Sequence, residues 1–127
     1  MSTADSPVAT RIGQIAVTAR DVARATAFYR DILGLRFLFD IPGAAFFEIG
    51  GVRLMIGVPE AGFDHPASIL YYAVDDIGRS RDQLVARGVV FESEPHLIAR
   101  MPDHELWMGF FRDSENNLLA LMSEVRA

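Results

Sequence analysis

The run FFEIGGVRLM at residues 46–55 has a counterpart, FFRDSENNLL, at residues 110–119. In each run two phenylalanines lie in one apolar strand, a turn-forming segment follows, and a second apolar strand begins. The similarity extends upstream, where IGQIAVT at residues 12–18 and SILYYAV at residues 68–74 each lead into an acidic helix start. The chain therefore predicts one β-α-β-β-β unit that occurs twice, with a site where the two halves meet.

Local signals place the elements of each unit. Asp21 is a suitable N-cap, apolar residues recur at helical spacing through residues 22–33, and Gly34 stands at the C′ position of that helix. Gly50 and Gly51 predict the turn of a hairpin. In the second half we expect a helix at 76–87 and strands at 69–74, 89–93, 95–99, 104–111 and 118–123.

Composition narrows the class of protein. The chain has 127 residues, half of them apolar, so it is long enough to bury a core as one globular domain. The net charge of −5 and the scattered basic residues argue against nucleic-acid binding. The absence of cysteine excludes disulfides and thiolate sites. No segment reaches the roughly 20 apolar residues of a membrane helix, and residues 1–10 do not resemble a secretory signal. We therefore expect a cytoplasmic protein.

The predicted fold class is α+β, with two tandem βαβββ modules forming a curved mixed sheet around a concave cup and the helices on the outer face. We expect a disordered N-terminal tail at 1–10 followed by a single domain at 11–127. Within that domain, module one is expected at 11–58, a linker at 59–67 and module two at 68–125.

The residues resemble the vicinal oxygen chelate superfamily, which includes glyoxalases, bleomycin resistance proteins, fosfomycin resistance enzymes and extradiol dioxygenases. The strongest local match is DVARATAFYRDILGL at residues 21–35, with its Phe-Tyr and Leu-Gly pairs at the helix end. The loop DSENN at 113–117 resembles the Asp-Pro-Asp-Gly hairpin of the family, although the proline and the glycine are missing. Members share a fold and differ in reaction, so the resemblance does not identify one activity.

The resemblance implies four metal-ligand positions on inner strands, at Gln14, Met55, Ile69 and Ala120. Only Gln14 has a side chain that can coordinate a cation, and a neutral amide is a poor single ligand. We therefore expect no cofactor, while a divalent metal elsewhere stays open. The alternative ligands are His96, His104 and Glu105, because the hairpin turn at 100–103 can bring the histidines together. The simpler interpretation is that both histidines bond to backbone or solvent at strand ends.

Alternation along the strands predicts an apolar cup with few polar groups. The expected ligand-binding residues are Gln14, Arg53, Met55, Tyr71, Trp107, Ala120 and Met122. Arg53 either binds a carboxylate or phosphate or extends to the rim with its head in water. Trp107 is either an aromatic wall for a planar ligand or a packing residue. The weak catalytic candidates are Glu48, as a general base, and His104.

The sequence favours a small-molecule-binding protein of the glyoxalase/bleomycin-resistance type that holds a hydrophobic or aromatic compound in a cup without the family metal. Whether it is an enzyme is left open. The alternatives are a metal-dependent lyase or isomerase of glyoxalase or dioxygenase type with a relocated site, and a non-catalytic assembly module. The resemblance also implies a homodimer, with modules paired within or between chains.

Overall fold

The computed structural model describes residues 8–59 and 68–126. The first module contains β1 (Gln14–Thr18), α1 (Val22–Ala27), β2 (Arg36–Ile41), β3 (Ala44–Ile49) and β4 (Val52–Gly57). The second contains β5 (Leu70–Ala73), α2 (Ile77–Ala86), β6 (His96–Arg100), β7 (His104–Arg112) and β8 (Leu118–Arg126). Each module forms one four-stranded sheet, in the orders β1-β4-β3-β2 and β5-β8-β7-β6. The predicted α+β fold of two β-α-β-β-β units is therefore confirmed. Residues 1–7 of the expected tail and 60–67 of the expected linker lie outside the described residues.

The two sheets have the same pairing pattern. In each, the first and last strands of the module run parallel, and the remaining neighbours are antiparallel. A parallel pair requires a crossover, which the helix and the intervening hairpins provide. None of the described helices is long and apolar enough to cross a membrane.

The first helix ends differently from an ordinary α-helix. Asp21 caps α1 as predicted, its carboxylate accepting from the Arg24 backbone N–H at 3.0 Å. The chain then widens into a π-helical turn at Phe28–Ile32, and the Leu33 backbone N–H donates to the Phe28 carbonyl at 3.0 Å. Gly34 follows with φ of 75°, a left-handed conformation that suits glycine at the end of a helix.

The strand expected at 89–93 does not form. Among the described residues, this segment has only one isolated bridge, between Phe91 and Phe111. Val89 is buried in the core while Val90 is 85% exposed, so the segment crosses the surface without a partner for a continuous ladder. The segment meets the edge of β7 only at Phe91 and at Glu92, whose N–H donates to the Phe110 carbonyl at 2.8 Å, so β propensity alone does not extend this contact into a strand.

Both modules share one hydrophobic core. It joins residues of the first module, such as Tyr29, Phe47 and Leu54, with Phe111 and Leu121 of the second. The residues that alternate with them lie on the opposite side of each sheet, away from the helices. We call these two surfaces the first open face and the second open face. The first open face carries Gln14, Ala16, Phe39, Phe46, Arg53 and Met55, and the second carries Tyr71, Ala73, Met108, Phe110, Ala120 and Met122.

The loop at 113–117 holds the modules together. The Tyr29 hydroxyl donates to the buried carboxylate of Asp113 at 2.6 Å, and the Asn117 amide donates to the Thr18 carbonyl at 2.9 Å. Glu115 accepts from the backbone N–H of Asp21 at 3.0 Å and from the Arg24 guanidinium at 2.7 Å. Glu115 therefore caps the helix of the other module, and these contacts tie the last hairpin to the first module.

Candidate functional site

The first open face presents an aromatic surface. Across the sheet, Ala16 pairs with Met55, Met55 with Phe46, and Phe46 with Phe39. The rings of Phe39 and Phe46 stack with centroids 4.6 Å apart and planes inclined by 21°. Phe39 remains 45% exposed, although a stacked aromatic pair would ordinarily be covered by other elements.

A polar corner adjoins this aromatic surface. The Arg53 Nε donates to the Gln14 Oε1 at 2.7 Å, and the Arg53 guanidinium carbon lies 5.6 Å from the centroid of the Phe46 ring. The Gln14 amide nitrogen lies 4.0 Å from the Met55 sulfur. Three of the expected ligand-binding residues, Gln14, Arg53 and Met55, are thus brought together on one sheet.

The other end of the first open face forms a depression of about 440 Å³, lined by Ala16, Met55, Ala44, Ile41 and Gly57 among others. Its floor depends on the close approach of two chain segments. A Cβ at Gly57 would lie 2.8 Å from the Gly43 carbonyl oxygen and 3.0 Å from the Ala44 Cβ. Only glycine fits at this position without displacing the backbone.

The second open face is a smaller apolar surface. Ala120 pairs with Tyr71 on one side and with Phe110 on the other, and it is fully buried. The rings of Tyr71 and Phe110 meet edge to face, with centroids 6.1 Å apart, and Tyr71 is 45% exposed. Met122 continues this face, since it pairs with Ala73. Tyr71, Ala120 and Met122 therefore form a second group.

The two groups lie on separate sheets. In each sheet, the side opposite the open face packs on the common core. The two open faces therefore point away from that core, in different directions. A single described chain therefore presents two separate open faces, and the seven expected ligand-binding residues do not surround one space within it.

Trp107 is a correction to the expected set. In the register of β7 it pairs with Ser123 and lies on the same side as the buried Phe111, packed against the core cluster. Its indole N–H donates to Glu105 at 3.2 Å. Trp107 therefore lies where a packing residue would lie, against the core, and it does not belong to the second open face.

The catalytic candidates are held in structural contacts. Glu48 accepts from the Gly51 backbone N–H at 2.8 Å, which stabilises the hairpin turn. His104 Nδ1 lies 2.7 Å from Asp103, and His104 Nε2 lies 4.0 Å from Glu124. The hydrogen bond with His104, assisted by the nearby Arg126, lowers the pKa of Asp103. Each candidate therefore has one polar atom in a hydrogen bond with a neighbour.

The hairpin does not bring His96 and His104 together. His96 pairs with Met108, which lies four residues beyond His104 on β7. At 3.3 Å per residue the two positions are about 13 Å apart along the strand. His96 Nδ1 instead lies 3.2 Å from the Glu94 carbonyl. The expected convergence of these histidines with Glu105 is therefore wrong, because the register separates them.

The four positions implied for a family metal do not supply a fitting donor set. Gln14 offers one amide oxygen, which already accepts from Arg53, and Met55 offers a thioether. Ile69 and Ala120 have no donor atom. In residues 8–59 and 68–126, no three histidine, aspartate or glutamate side chains are grouped so that they could hold a metal ion.

Sequence reasoning missed the aromatic members of both open faces, Phe39, Phe46 and Phe110. Phe46 could have been predicted, because it lies two residues before the candidate Glu48 on the same strand. Alternation places both side chains on the same side of the sheet. Phe39 was hidden by a register shift between Phe37 and Phe39, which changes the alternation of β2.

Comparisons with known proteins agree on the fold. A lactoylglutathione lyase from Agrobacterium tumefaciens superposes with a TM-score of 0.72 at 22% identity, covering 92% of this chain and 96% of that one. TnmS3, an antibiotic binding protein from Streptomyces sp. CB03234, gives a TM-score of 0.73 at 20% identity, covering 94% and 99%. In sequence, the uncharacterized protein YraH of Bacillus subtilis (strain 168) is 25% identical over 126 residues, covering 85% of this chain and 94% of that protein.

The family model for these proteins matches nearly the whole chain. It spans residues 11–121, from the segment before β1 into β8, and thus covers both modules except for the end of β8. The chain belongs to the glyoxalase/bleomycin resistance protein/dioxygenase superfamily.

Proposed function

We propose that this protein binds a hydrophobic or aromatic small molecule on its open faces, without the metal used by many members of its family. The observation that carries the proposal is the exposed apolar surface of the two sheets. Phe39, Ile41, Ile69 and Tyr71 are 45%, 52%, 40% and 45% exposed. Apolar side chains grouped in this way mark a surface that binds a ligand or another chain.

The donor chemistry supports binding over metal-assisted turnover. The positions that would hold the metal carry an amide, a thioether and two aliphatic side chains, which suit an apolar ligand better than a divalent cation. The antibiotic binding protein from Streptomyces has the same fold, so ligand binding is one of the activities that this fold accommodates.

We further propose that the complete site forms between two copies of the chain. In a twofold dimer, the first open face of one copy would lie opposite the second open face of its partner, and the same contact would occur twice. Gln14, Arg53 and Met55 would then face Tyr71 and Met122 across one cup. This arrangement would also cover the apolar side chains that a single chain leaves exposed.

Sedimentation and thermal stability test both parts. We expect the protein to sediment as a dimer, and planar aromatic compounds to raise its melting temperature without being converted to products. Tyr71→Asp should produce monomers and abolish the ligand-induced rise. Val90→Asp is the matched control, because Val90 is 85% exposed and lies outside both open faces.

Each alternative to this proposal predicts a different experimental result. A wild-type protein that stays monomeric while it binds ligand would exclude the two-copy site. Stoichiometric bound metal with a rise in melting temperature, or conversion of the compound, would favour the metal-dependent enzyme. No ligand-induced stabilisation with a persistent dimer would favour an assembly module.

A further inference from the structure

We propose that the first open face selects a planar aromatic ligand that carries a single negative charge, such as an aromatic carboxylate, through Arg53. The inference rests on the proposed binding function and specifies the ligand class. It depends on three properties of Arg53: its orientation, its uncompensated charge and the aromatic surface beside it.

The guanidinium of Arg53 is held in place from two sides. Its Nε donates to the Gln14 Oε1 at 2.7 Å, and its carbon lies 5.6 Å from the centroid of the Phe46 ring. Gln14 and Arg53 are register partners on neighbouring strands, so both anchors belong to the sheet and not to a loop. A guanidinium fixed at Nε keeps its two terminal nitrogens aligned for a bidentate contact with a carboxylate.

Arg53 forms no ion pair with a carboxylate in the described part of the chain. Its register partner on β3 is Glu48, but the Glu48 carboxylate accepts from the Gly51 backbone N–H. Six of the described arginines, at 24, 30, 81, 100, 112 and 126, are in ion pairs, whereas Arg53 is in none, as are those at 11, 20, 36, 79 and 87. Its two anchors are neutral, so its positive charge remains available to a ligand.

The surroundings favour a monoanion. A depression of about 450 Å³ beside Arg53 is lined by two cations, Arg11 and Arg53, and one carboxylate, Glu48. The lining therefore carries a net charge of +1, from two positive groups and one negative group. A single negative charge balances this lining, whereas a dianion such as a phosphate monoester would exceed its positive charge and would also meet repulsion from Glu48.

The adjoining rings favour a planar ligand. Phe39 and Phe46 stack with centroids 4.6 Å apart, and Phe39 is 45% exposed. Arg53 and the stacked pair share the first open face, since Phe46 contacts both the guanidinium and the Phe39 ring. Phe46 is only 8% exposed, so an aromatic acid can place its ring on Phe39 and its carboxylate at Arg53.

Titration calorimetry with naphthalene-2-carboxylate and its neutral isostere, naphthalene-2-carboxamide, tests the inference. We expect the wild type to bind the carboxylate roughly tenfold more tightly than the carboxamide. Arg53→Gln should remove this preference and leave the affinity for the carboxamide unchanged. Arg53→Lys, which retains the charge without the planar fork, should keep only part of the preference.

Arg36→Gln is the matched control, because Arg36 is also exposed on the first sheet and has Glu48 as a register partner. It should preserve the preference within about twofold. Equal binding of the two compounds to the wild type, or a preference that survives in a folded Arg53→Gln variant, would overturn the inference while the binding function stands. Failure of both compounds to bind would overturn the proposed function and this inference with it.

Discussion

The hydroxyl of Tyr29 lies 2.6 Å from the carboxylate of Asp113, and this hydrogen bond joins the first helix to the last hairpin. Tyr29 is fully buried and Asp113 is 7% exposed. Asp113 also accepts from the backbone N–H groups of Glu115 and Asn117, both at 2.8 Å. Burial and the neighbouring Asp113 carboxylate raise the pKa of Tyr29, so the phenol stays protonated and donates. This buried contact therefore links the two modules, in addition to the core that they share.

Tyr29→Phe should destabilise the protein by about 1.5–3 kcal/mol, the range for a hydrogen bond to a charged group. The loss arises because a buried carboxylate keeps its desolvation cost while one of its donors is removed. Urea unfolding followed by circular dichroism measures the change.

Tyr72→Phe is the control for that experiment. The Tyr72 hydroxyl is buried and has no hydrogen-bond partner among the residues that the structure describes. Its removal should leave the free energy of unfolding unchanged or raise it by up to about 1 kcal/mol. Equal losses in both variants would contradict a specific role for the Tyr29–Asp113 contact.

The Glu115 cap predicts a pH dependence of stability. The Arg24 guanidinium and the backbone N–H groups of Asp21 and Arg20 lower the pKa of Glu115 from 4.5 to about 2. The folded state therefore releases this proton more readily than the unfolded state. The resulting stabilisation is complete above pH 4.5 and is lost as the pH falls toward about 2.

Glu115→Gln should be less stable than the wild type near neutral pH by about 1 kcal/mol, the size of a helix-cap contribution. The difference in free energy of unfolding between the two proteins should shrink steadily as the pH falls below 4.5, which is the ordinary pKa of this carboxyl group. Urea unfolding at a series of pH values gives both curves. A difference that stays constant down to about pH 2 would show that the charge of Glu115 does not contribute.

Gly57→Ala should destabilise the first module by about 1–3 kcal/mol, because the new methyl group overlaps the backbone of the β2–β3 turn. Its Cβ would lie 2.8 Å from the Gly43 oxygen. Gly13→Ala is the matched control, since a Cβ there meets nothing within 4 Å. Thermal unfolding of both variants distinguishes them. Similar melting temperatures would mean that the β2–β3 turn shifts to accommodate the methyl group without a measurable loss of stability.

Much of the fold was predictable because it follows from local patterns. The repeated strand and helix signals, the cap at Asp21 and the end at Gly34 all depend on a few neighbouring residues. The register confirms that alternation places Gln14 and Ala16 on the same sheet side as Arg53 and Met55. These inferences needed no knowledge of how the two sheets dock.

The predictions that were wrong depend on contacts between residues that are distant in sequence. Trp107 lies in the run Leu106–Met108, which is apolar on both sides of the strand, so alternation could not say which side meets the core. The segment at 89–93 has strand-forming residues but pairs with β7 in only one isolated bridge, at Phe91. The contact between the modules includes the pair of Tyr29 and Asp113, which are far apart in sequence and have no local signature as a pair.

The central claim is that an aromatic ligand binds the open faces, and the methionine methyl groups can report it directly. Met55 lies on the first open face, and Met108 and Met122 pair with each other on the second. Met101 lies in the turn between β6 and β7 and is 47% exposed, so it serves as an internal reference.

We would therefore titrate naphthalene-2-carboxylate into protein labelled with ¹³C at the methionine methyl groups and record their NMR shifts. The account predicts saturable shifts of Met55 together with Met108 or Met122, while Met101 stays in place. Shifts that do not saturate, or that affect Met101 while the three open-face methyl groups remain unchanged, would contradict it.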